Sequence, residues 1–114
     1  MYIIFDDFLM IEIIVKSVPK LVTLHSRQQT EGSYFDIYCS IQEGSLPVFF
    51  EWTKNGHKLK STSDTNYKIE ISQRLSTLTI ESITRSDAAN YTCGVNNAYG
   101  SDYQSMVLSI KGIL

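Results

Sequence analysis

Short runs in which apolar and polar residues alternate dominate the chain from about residue 18 onward. A two-residue period places every second side chain on the same face of a β-strand, so each run predicts a strand with one buried face. No run has the period of a helix. The runs cover residues 33–41, 48–54, 67–72, 75–83, 90–95 and 103–110. Their predicted inward residues are Phe35, Ile37, Cys39, Ile41, Val48, Phe50, Trp52, Ile69, Ile71, Leu78, Ile80, Ile83, Tyr91, Cys93, Val95, Met106, Leu108 and Ile110.

Turn signals separate these runs at intervals of about 8–12 residues, which is typical of small β-sandwiches. The Asn55-Gly56 pair is the strongest of them, because both residues favour a two-residue hairpin, and residues 57–60 are predicted to return as a short strand. One or two more strands are expected within residues 19–32. The pattern of about seven short strands predicts an all-β, two-sheet antiparallel sandwich.

Composition narrows the class of protein. The chain has 114 residues, a hydrophobic fraction of 43% and a net charge of −2, which fits one globular domain without the basic stripe that nucleic acid requires. Two cysteines, Cys39 and Cys93, are present. A disulfide between them would close a loop of about 55 residues and contribute roughly 4 kcal/mol in the chain-entropy model. The cysteine count alone leaves open the alternative of two buried thiols in a cytosolic protein.

The first sixteen residues are apolar but are interrupted by Asp6, Asp7 and Glu12. A membrane span needs about 20 nearly uninterrupted apolar residues, and a secretory signal begins with a basic region, whereas the first basic residue here is Lys16. We expect residues 1–17 to be an extension that does not insert into a membrane, either a linker or foreign sequence. A signal remnant is the less favoured alternative. The domain is expected to span residues 18–112.

One set of residues points to a particular sandwich. It consists of Cys39, Trp52, Leu78, Asp87, Ala89, Tyr91, Cys93, Asn97 and Gly100. On these residues, the segment 18–111 resembles an I-set immunoglobulin domain. The resemblance implies a disulfide between Cys39 and Cys93 that crosses the two sheets, with Trp52 packed on it. It also implies that the Tyr91 hydroxyl bonds to backbone at a turn in which Asp87 accepts a backbone N–H.

Residues 75–100, LSTLTIESITRSDAANYTCGVNNAYG, are similar to domains of the Down syndrome cell adhesion molecules (Dscam), most of all the arthropod and chelicerate forms. This similarity implies an extracellular recognition module in a longer, membrane-anchored adhesion glycoprotein. Its partner would be another copy on an apposed cell, in recognition of the kind used in axon guidance and self-avoidance. The alternative is a structural I-set module of a giant intracellular muscle protein.

Two candidate sites follow from the outward positions. One sheet should present an interface for homophilic binding that mixes both charge signs with two tyrosines, although an ordinary solvated face would have the same composition. The sequon Asn90-Tyr91-Thr92 predicts an N-linked glycan on Asn90, or else only the polar outward positions of a strand. Phe49 is an exposed apolar residue in this register. The candidate interface residues are Tyr34, Asp36, Tyr38, Lys68, Glu70, Thr77 and Thr79.

Catalytic and metal-binding patterns are missing from the sequence. His25 and His57 lie in polar regions, and with both cysteines in the core no zinc ligand set remains. No nucleophile motif or phosphate-binding loop occurs. We therefore expect neither enzymatic activity nor a cofactor or metal.

Overall fold

The structure is a computed structural model that describes residues 2–5, 9–12, 16–60 and 65–112, the first two ranges as backbone only. In those two ranges, strands β1 (Tyr2–Phe5) and β2 (Leu9–Glu12) pair antiparallel. The side chains of residues 1–15 lie outside the described part of the structure, so the extension predicted for residues 1–17 stays a prediction. Within the described part of the chain, no helix is long and apolar enough to cross a membrane.

The remaining strands form two sheets, which confirms the predicted all-β sandwich. The first sheet has the order β3-β5-β9-β8 and is antiparallel throughout. It is built from β3 (Lys20–Leu21), β5 (Phe35–Glu43), β8 (Tyr67–Ile71) and β9 (Leu75–Ile80). The second has the order β4-β11-β10-β6-β7. It is built from β4 (Arg27–Thr30), β6 (Phe49–Lys54), β7 (His57–Lys58), β10 (Ala89–Asn97) and β11 (Gly100–Lys111).

The first part of the domain contributes to both sheets. Strand β3 pairs antiparallel with β5, whereas β4 pairs parallel with β11, which departs from the antiparallel pairing expected of the sandwich. At the end of β3 the Leu21 N–H donates to Asp102 Oδ2 at 2.8 Å, and just before β4 Ser26 Oγ accepts the Val107 N–H at 2.9 Å. The segment therefore ties the two sheets together at their edge.

A disulfide between Cys39 on β5 and Cys93 on β10 crosses the core, as the resemblance implied. Trp52 lies beside it, because β6 pairs with β10 in the register that sets Trp52 opposite Cys93. The apolar core takes residues from both sheets, and most of them are ones predicted to point inward. The buried ones are Leu21, Phe35, Ile37, Cys39, Trp52, Leu78, Ile80, Ile83, Ala89, Tyr91, Cys93, Val95, Met106 and Leu108.

The inward position predicted for Ile71 is wrong, since 61% of this residue is exposed. Its neighbour Ile69 packs against the core at the same parity. Ile71 is the last residue of β8, and there the facing wall is the loop residues Leu46, Pro47 and Val48 rather than a strand of the other sheet. The alternation directs the Ile71 side chain inward, but at this end of β8 the second sheet no longer covers it.

The turn between β6 and β7 is the predicted hairpin. Asn55 and Gly56 both have left-handed backbone conformations, with φ of 49° and 82°, as a two-residue turn of this kind requires. Asn55 also bonds to the neighbouring strand: its N–H donates to the Asn90 carbonyl at 2.8 Å, and its Oδ1 accepts the Asn90 N–H at 2.9 Å. The returning strand is shorter than expected and ends at Lys58.

At one pole of the sandwich a single amide side chain joins three segments. Asn97 Nδ2 donates to the carbonyls of Ser17 at 2.8 Å and Ser45 at 3.0 Å. Its Oδ1 accepts the N–H groups of Tyr99 at 2.8 Å and Gly100 at 3.1 Å. The chain entering the domain, the loop before β6 and the turn before β11 are thus held at one point.

Candidate functional site

The seven residues predicted as an interface lie on one surface, the outward face of the first sheet, here called the outer patch. Six of them form two rows across strands β5, β9 and β8. The strand register gives one row as Asp36, Thr79 and Lys68, and the other as Tyr38, Thr77 and Glu70. Tyr34 directly precedes β5 at the same parity. The central strand β9 contributes only Thr77 and Thr79 to these rows. The surface is therefore lower along β9 than along β5 and β8, which carry the larger side chains.

Aromatic and charged side chains on the outer patch are accessible. Tyr34 and Tyr38 are each 58% exposed. Lys68 Nζ lies 3.0 Å from Glu70 Oε1, and both side chains are mostly exposed. An ion pair this exposed contributes little to stability, because water competes for both groups. These groups are therefore available for other contacts.

Neighbouring carboxylates raise the pKa values of two side chains on the outer patch. The bond to the Glu70 carboxylate raises the pKa of Lys68, and the bond to the Asp36 carboxylate raises the pKa of Tyr38. Both shifts favour the states that these side chains already have at pH 7, a charged Lys68 and a neutral Tyr38. On the far side of β5, the Arg27 guanidinium donates to the Asp36 carbonyl and lies 4.5 Å from the centre of the Phe35 ring.

A buried serine connects the core to the outer patch, and the sequence analysis missed it. Ser76 is fully buried, and its Oγ accepts the indole N–H of Trp52 at 2.8 Å and donates to the Glu70 carbonyl at 3.0 Å. Ser76 shares the parity of Leu78, which could have marked it as an inward polar residue with a specific partner. The backbone beneath Glu70 is therefore anchored on the core tryptophan.

The segment around Tyr91 has a structural role. The buried Tyr91 hydroxyl donates to the Asp87 carbonyl at 2.6 Å, and Asp87 Oδ2 accepts the Thr84 N–H at 2.8 Å. Burial is the main cause that raises the pKa of Tyr91. The spacing of Asp87, Tyr91 and Cys93 thus places these two hydrogen bonds at the turn between β9 and β10, beside the disulfide.

The sequon residues Asn90 and Thr92, on either side of the buried Tyr91, point away from this core on the second sheet. Asn90 is exposed on β10, and the Thr92 hydroxyl lies 2.7 Å from Ser105 Oγ. Asn90 and the outer patch therefore lie on opposite faces of the sandwich, so a glycan on Asn90 would leave the patch free. Glycosylation itself stays a prediction.

The second sheet also presents two aromatic residues. Phe49 is 62% exposed, in agreement with its parity, and Tyr103 is 65% exposed. Tyr103 was missed as a candidate although it shares the parity of Ser105 and Val107, which the alternation had already assigned outward. Across the described ranges, no three acidic, histidine or cysteine side chains come together as a metal site. The absence of cofactor and catalysis remains an expectation.

Comparison with known proteins gives a family match and several relatives. The family model of the Immunoglobulin I-set domain matches residues 19–110. The cell adhesion molecule DSCAML1 of Gallus gallus is 30% identical over 77% of this chain. Cell adhesion molecule Dscam1 of Drosophila melanogaster is 32% identical over 83% of it, and myopalladin of Mus musculus is 32% identical over 79%. The chain spans only 4%, 5% and 7% of the lengths of these three relatives, respectively.

Two solved structures share the fold. The titin I-band fragment I67-I69 superposes with a TM-score of 0.78 at 25% identity, over 86% of this chain and 34% of that one. The Dscam1 Ig7 domain, isoform 5, superposes with a TM-score of 0.76 at 20% identity, over 82% of this chain and 97% of that one. Relatives in a bird and an insect resemble the chain about equally, so the similarity extends beyond arthropods.

Proposed function

The chain belongs to the immunoglobulin I-set family, and on that premise we propose that it is an extracellular recognition module of a cell adhesion molecule. In this proposal the outer patch binds a second copy of the same domain, presented by an apposed cell, with low affinity and without catalysis. The observation that carries the proposal is the arrangement of the outer patch, which sets Lys68 beside Glu70 on β8 and across β9 from Asp36, next to two exposed tyrosines. The similarity to DSCAML1 and Dscam1 supports the same reading.

Two-fold pairing makes this arrangement complementary to itself. Two sheets that meet face to face can be related by an axis along the rows or along the strands. If the axis follows the rows, the rows exchange, and Lys68 faces Glu70 of the second copy. If the axis follows the strands, β8 faces β5, and Lys68 faces Asp36 of the second copy. Either orientation sets an ammonium against a carboxylate twice per dimer, while Thr77 and Thr79 let the centres approach.

The disulfide and the sequon favour the extracellular compartment. Disulfides persist in oxidising surroundings and are rare in the cytosol, and sequons are modified only in secreted chains. A glycan on Asn90 would occupy the second sheet only. These features and the outer patch are therefore compatible with one another.

A charge reversal tests homophilic binding. Lys68→Glu should weaken dimerisation in sedimentation equilibrium by about five- to thirty-fold, since each of the two lost pairs is worth about 0.2–1 kcal/mol and is replaced by repulsion. Lys58→Glu is the matched control, because Lys58 forms a comparable exposed pair with Glu51 on the second sheet, at 3.4 Å. A wild-type protein that stays monomeric at millimolar concentration would refute the proposal.

The double variant Lys68→Glu/Glu70→Lys distinguishes the two orientations. It should restore dimerisation if the axis follows the rows, because the facing charges are exchanged together. It should not restore it if the axis follows the strands, because residue 68 then faces the unchanged Asp36. Circular dichroism melts of all the variants control for folding.

A second candidate is a structural module of an intracellular muscle protein. The similarity to myopalladin and to titin favours it, at identities close to those of the adhesion molecules. In a reducing cell both cysteines would be thiols. Mass spectrometry after alkylation of native-source protein decides between the two: an unmodified, disulfide-linked Cys39–Cys93 peptide supports the extracellular module, and alkylated thiols support the muscle module. A hexosamine-bearing Asn90 peptide would support the extracellular module further.

A further inference from the structure

We propose that the second sheet carries a separate binding site for an arginine side chain of a protein partner, built from Tyr103, Gly94 and Glu51. These three residues stand side by side on β11, β10 and β6, because the strand register pairs Gly94 with both of the others. The site is on the face opposite the outer patch, so it does not depend on homophilic binding.

Gly94 has no side chain, so the ring of Tyr103 can lie close to its backbone. A Cβ atom at this position would lie 2.9 Å from Cε1 and 3.0 Å from Cδ1 of the Tyr103 ring, so any larger residue would push the ring away. The ring therefore leans over the backbone of Gly94, while 65% of Tyr103 stays exposed. Between this ring and the side chains of Glu51 and Thr53 runs an open trough, here called the Gly94 trough.

The chemistry of the Gly94 trough favours a cation with hydrogen-bond donors. Its lining offers the electron-rich surface of a phenol, one carboxylate, the hydroxyls of Thr53 and Thr92 and the amide of Asn96, and no basic side chain. An aromatic ring and a carboxylate on opposite walls both attract a positive charge placed between them. Lys58 approaches Glu51 at 3.4 Å through an exposed ion pair, which an incoming cation can displace at little cost.

The size of the trough selects a single side chain. Its volume is about 140 Å³, below the range of roughly 300–1,000 Å³ that is usual for small-molecule sites. Arginine fits this space better than lysine in its bonding, because a planar guanidinium stacks on a ring and bonds to a carboxylate in its own plane. The exposed Phe49, two residues before Glu51 at the same parity, extends the surface that such a partner would cover.

The test uses the full chain labelled with ¹⁵N and the probe N-acetyl-arginine amide. We expect saturable shifts of the amide signals of Gly94, Tyr103 and Glu51, with a dissociation constant in the millimolar range. N-acetyl-citrulline amide is the matched probe, since it has the same shape without the charge, and it should bind at least five-fold more weakly.

Variants locate the binding. Glu51→Gln and Tyr103→Leu should each weaken it roughly five-fold, because each removes one attractive wall. Glu31→Gln should leave it unchanged, since Glu31 forms its ion pair with Arg85, away from the Gly94 trough. Absence of saturation, equal affinity for citrulline, or an equal effect of Glu31→Gln would each overturn the proposal.

Discussion

Ser76→Ala tests whether the buried hydrogen bond between the two sheets matters as the geometry implies. The serine hydroxyl is the acceptor for the Trp52 indole and is fully buried, with a donor–acceptor distance of 2.8 Å. Alanine removes one atom without adding volume. The variant therefore leaves the indole N–H without a partner in a place that water does not reach.

The expected loss follows from the two bonds of the serine. A buried donor left unpaired costs about 1–3 kcal/mol. The second bond, from Ser76 to the Glu70 carbonyl, adds little, because Glu70 lies on the exposed edge strand β8, where water can replace the hydroxyl. The free energy of unfolding should accordingly fall by about 1–3 kcal/mol, most of it assignable to the tryptophan.

Urea denaturation followed by circular dichroism measures this loss, and a double-mutant cycle assigns it. In a Trp52→Phe background the donor is gone, so Ser76→Ala should cost less than about 1 kcal/mol there. Ser72→Ala is a control, because the Ser72 hydroxyl bonds to the Leu75 carbonyl at an exposed position. A loss below about 0.5 kcal/mol, or equal losses in the two backgrounds, would contradict the reasoning.

Three further predictions concern stability. Replacing both cysteines by alanine should cost about 4 kcal/mol in urea denaturation, because the disulfide closes a loop with a sequence separation of 54; a cost below about 1 kcal/mol would contradict this. Gly44→Ala should destabilise more than Gly56→Ala, although both have positive φ, because a Cβ at Gly44 would lie 2.6 Å from Pro19 Cα and one at Gly56 meets nothing; equal melting temperatures would refute the steric account. Burial raises the pKa of Tyr91, so the unfolded tyrosine ionises from about pH 10 while the folded one stays neutral; stability is then full below about pH 10 and falls above it. Tyr91→Phe should lose less stability than wild type between about pH 8 and about pH 11, and equal losses would exclude this residue as the cause.

Alternation along the strands was sufficient to predict most of the core, because every second residue of a sandwich strand must face the other sheet. It failed at Ile71, since parity gives the direction of a side chain and not the extent of the sheet opposite it. It also passed over Ser76, whose partner Trp52 lies 24 residues away in sequence and becomes adjacent only in the folded chain.

The outer patch was predictable for the same reason that the core was: its residues are the complement of the buried ones. The Gly94 trough was not, because it depends on which residues face one another across strands. Tyr103 becomes the neighbour of Gly94 only through the register of the turn between β10 and β11. Alternation carries no information on that register, so a glycine and a tyrosine nine residues apart gave no signal in the sequence.

The four bonds of Asn97 have a mechanical consequence. Because the Ser17 carbonyl is held together with the loop at Ser45 and the turn at Gly100, rotating the backbone where it enters the sandwich requires these hydrogen bonds to break. A pull or a torque applied at Ser17 is therefore borne at this pole by the four hydrogen bonds of Asn97. One neutral amide thus restrains the direction in which the backbone passes Ser17.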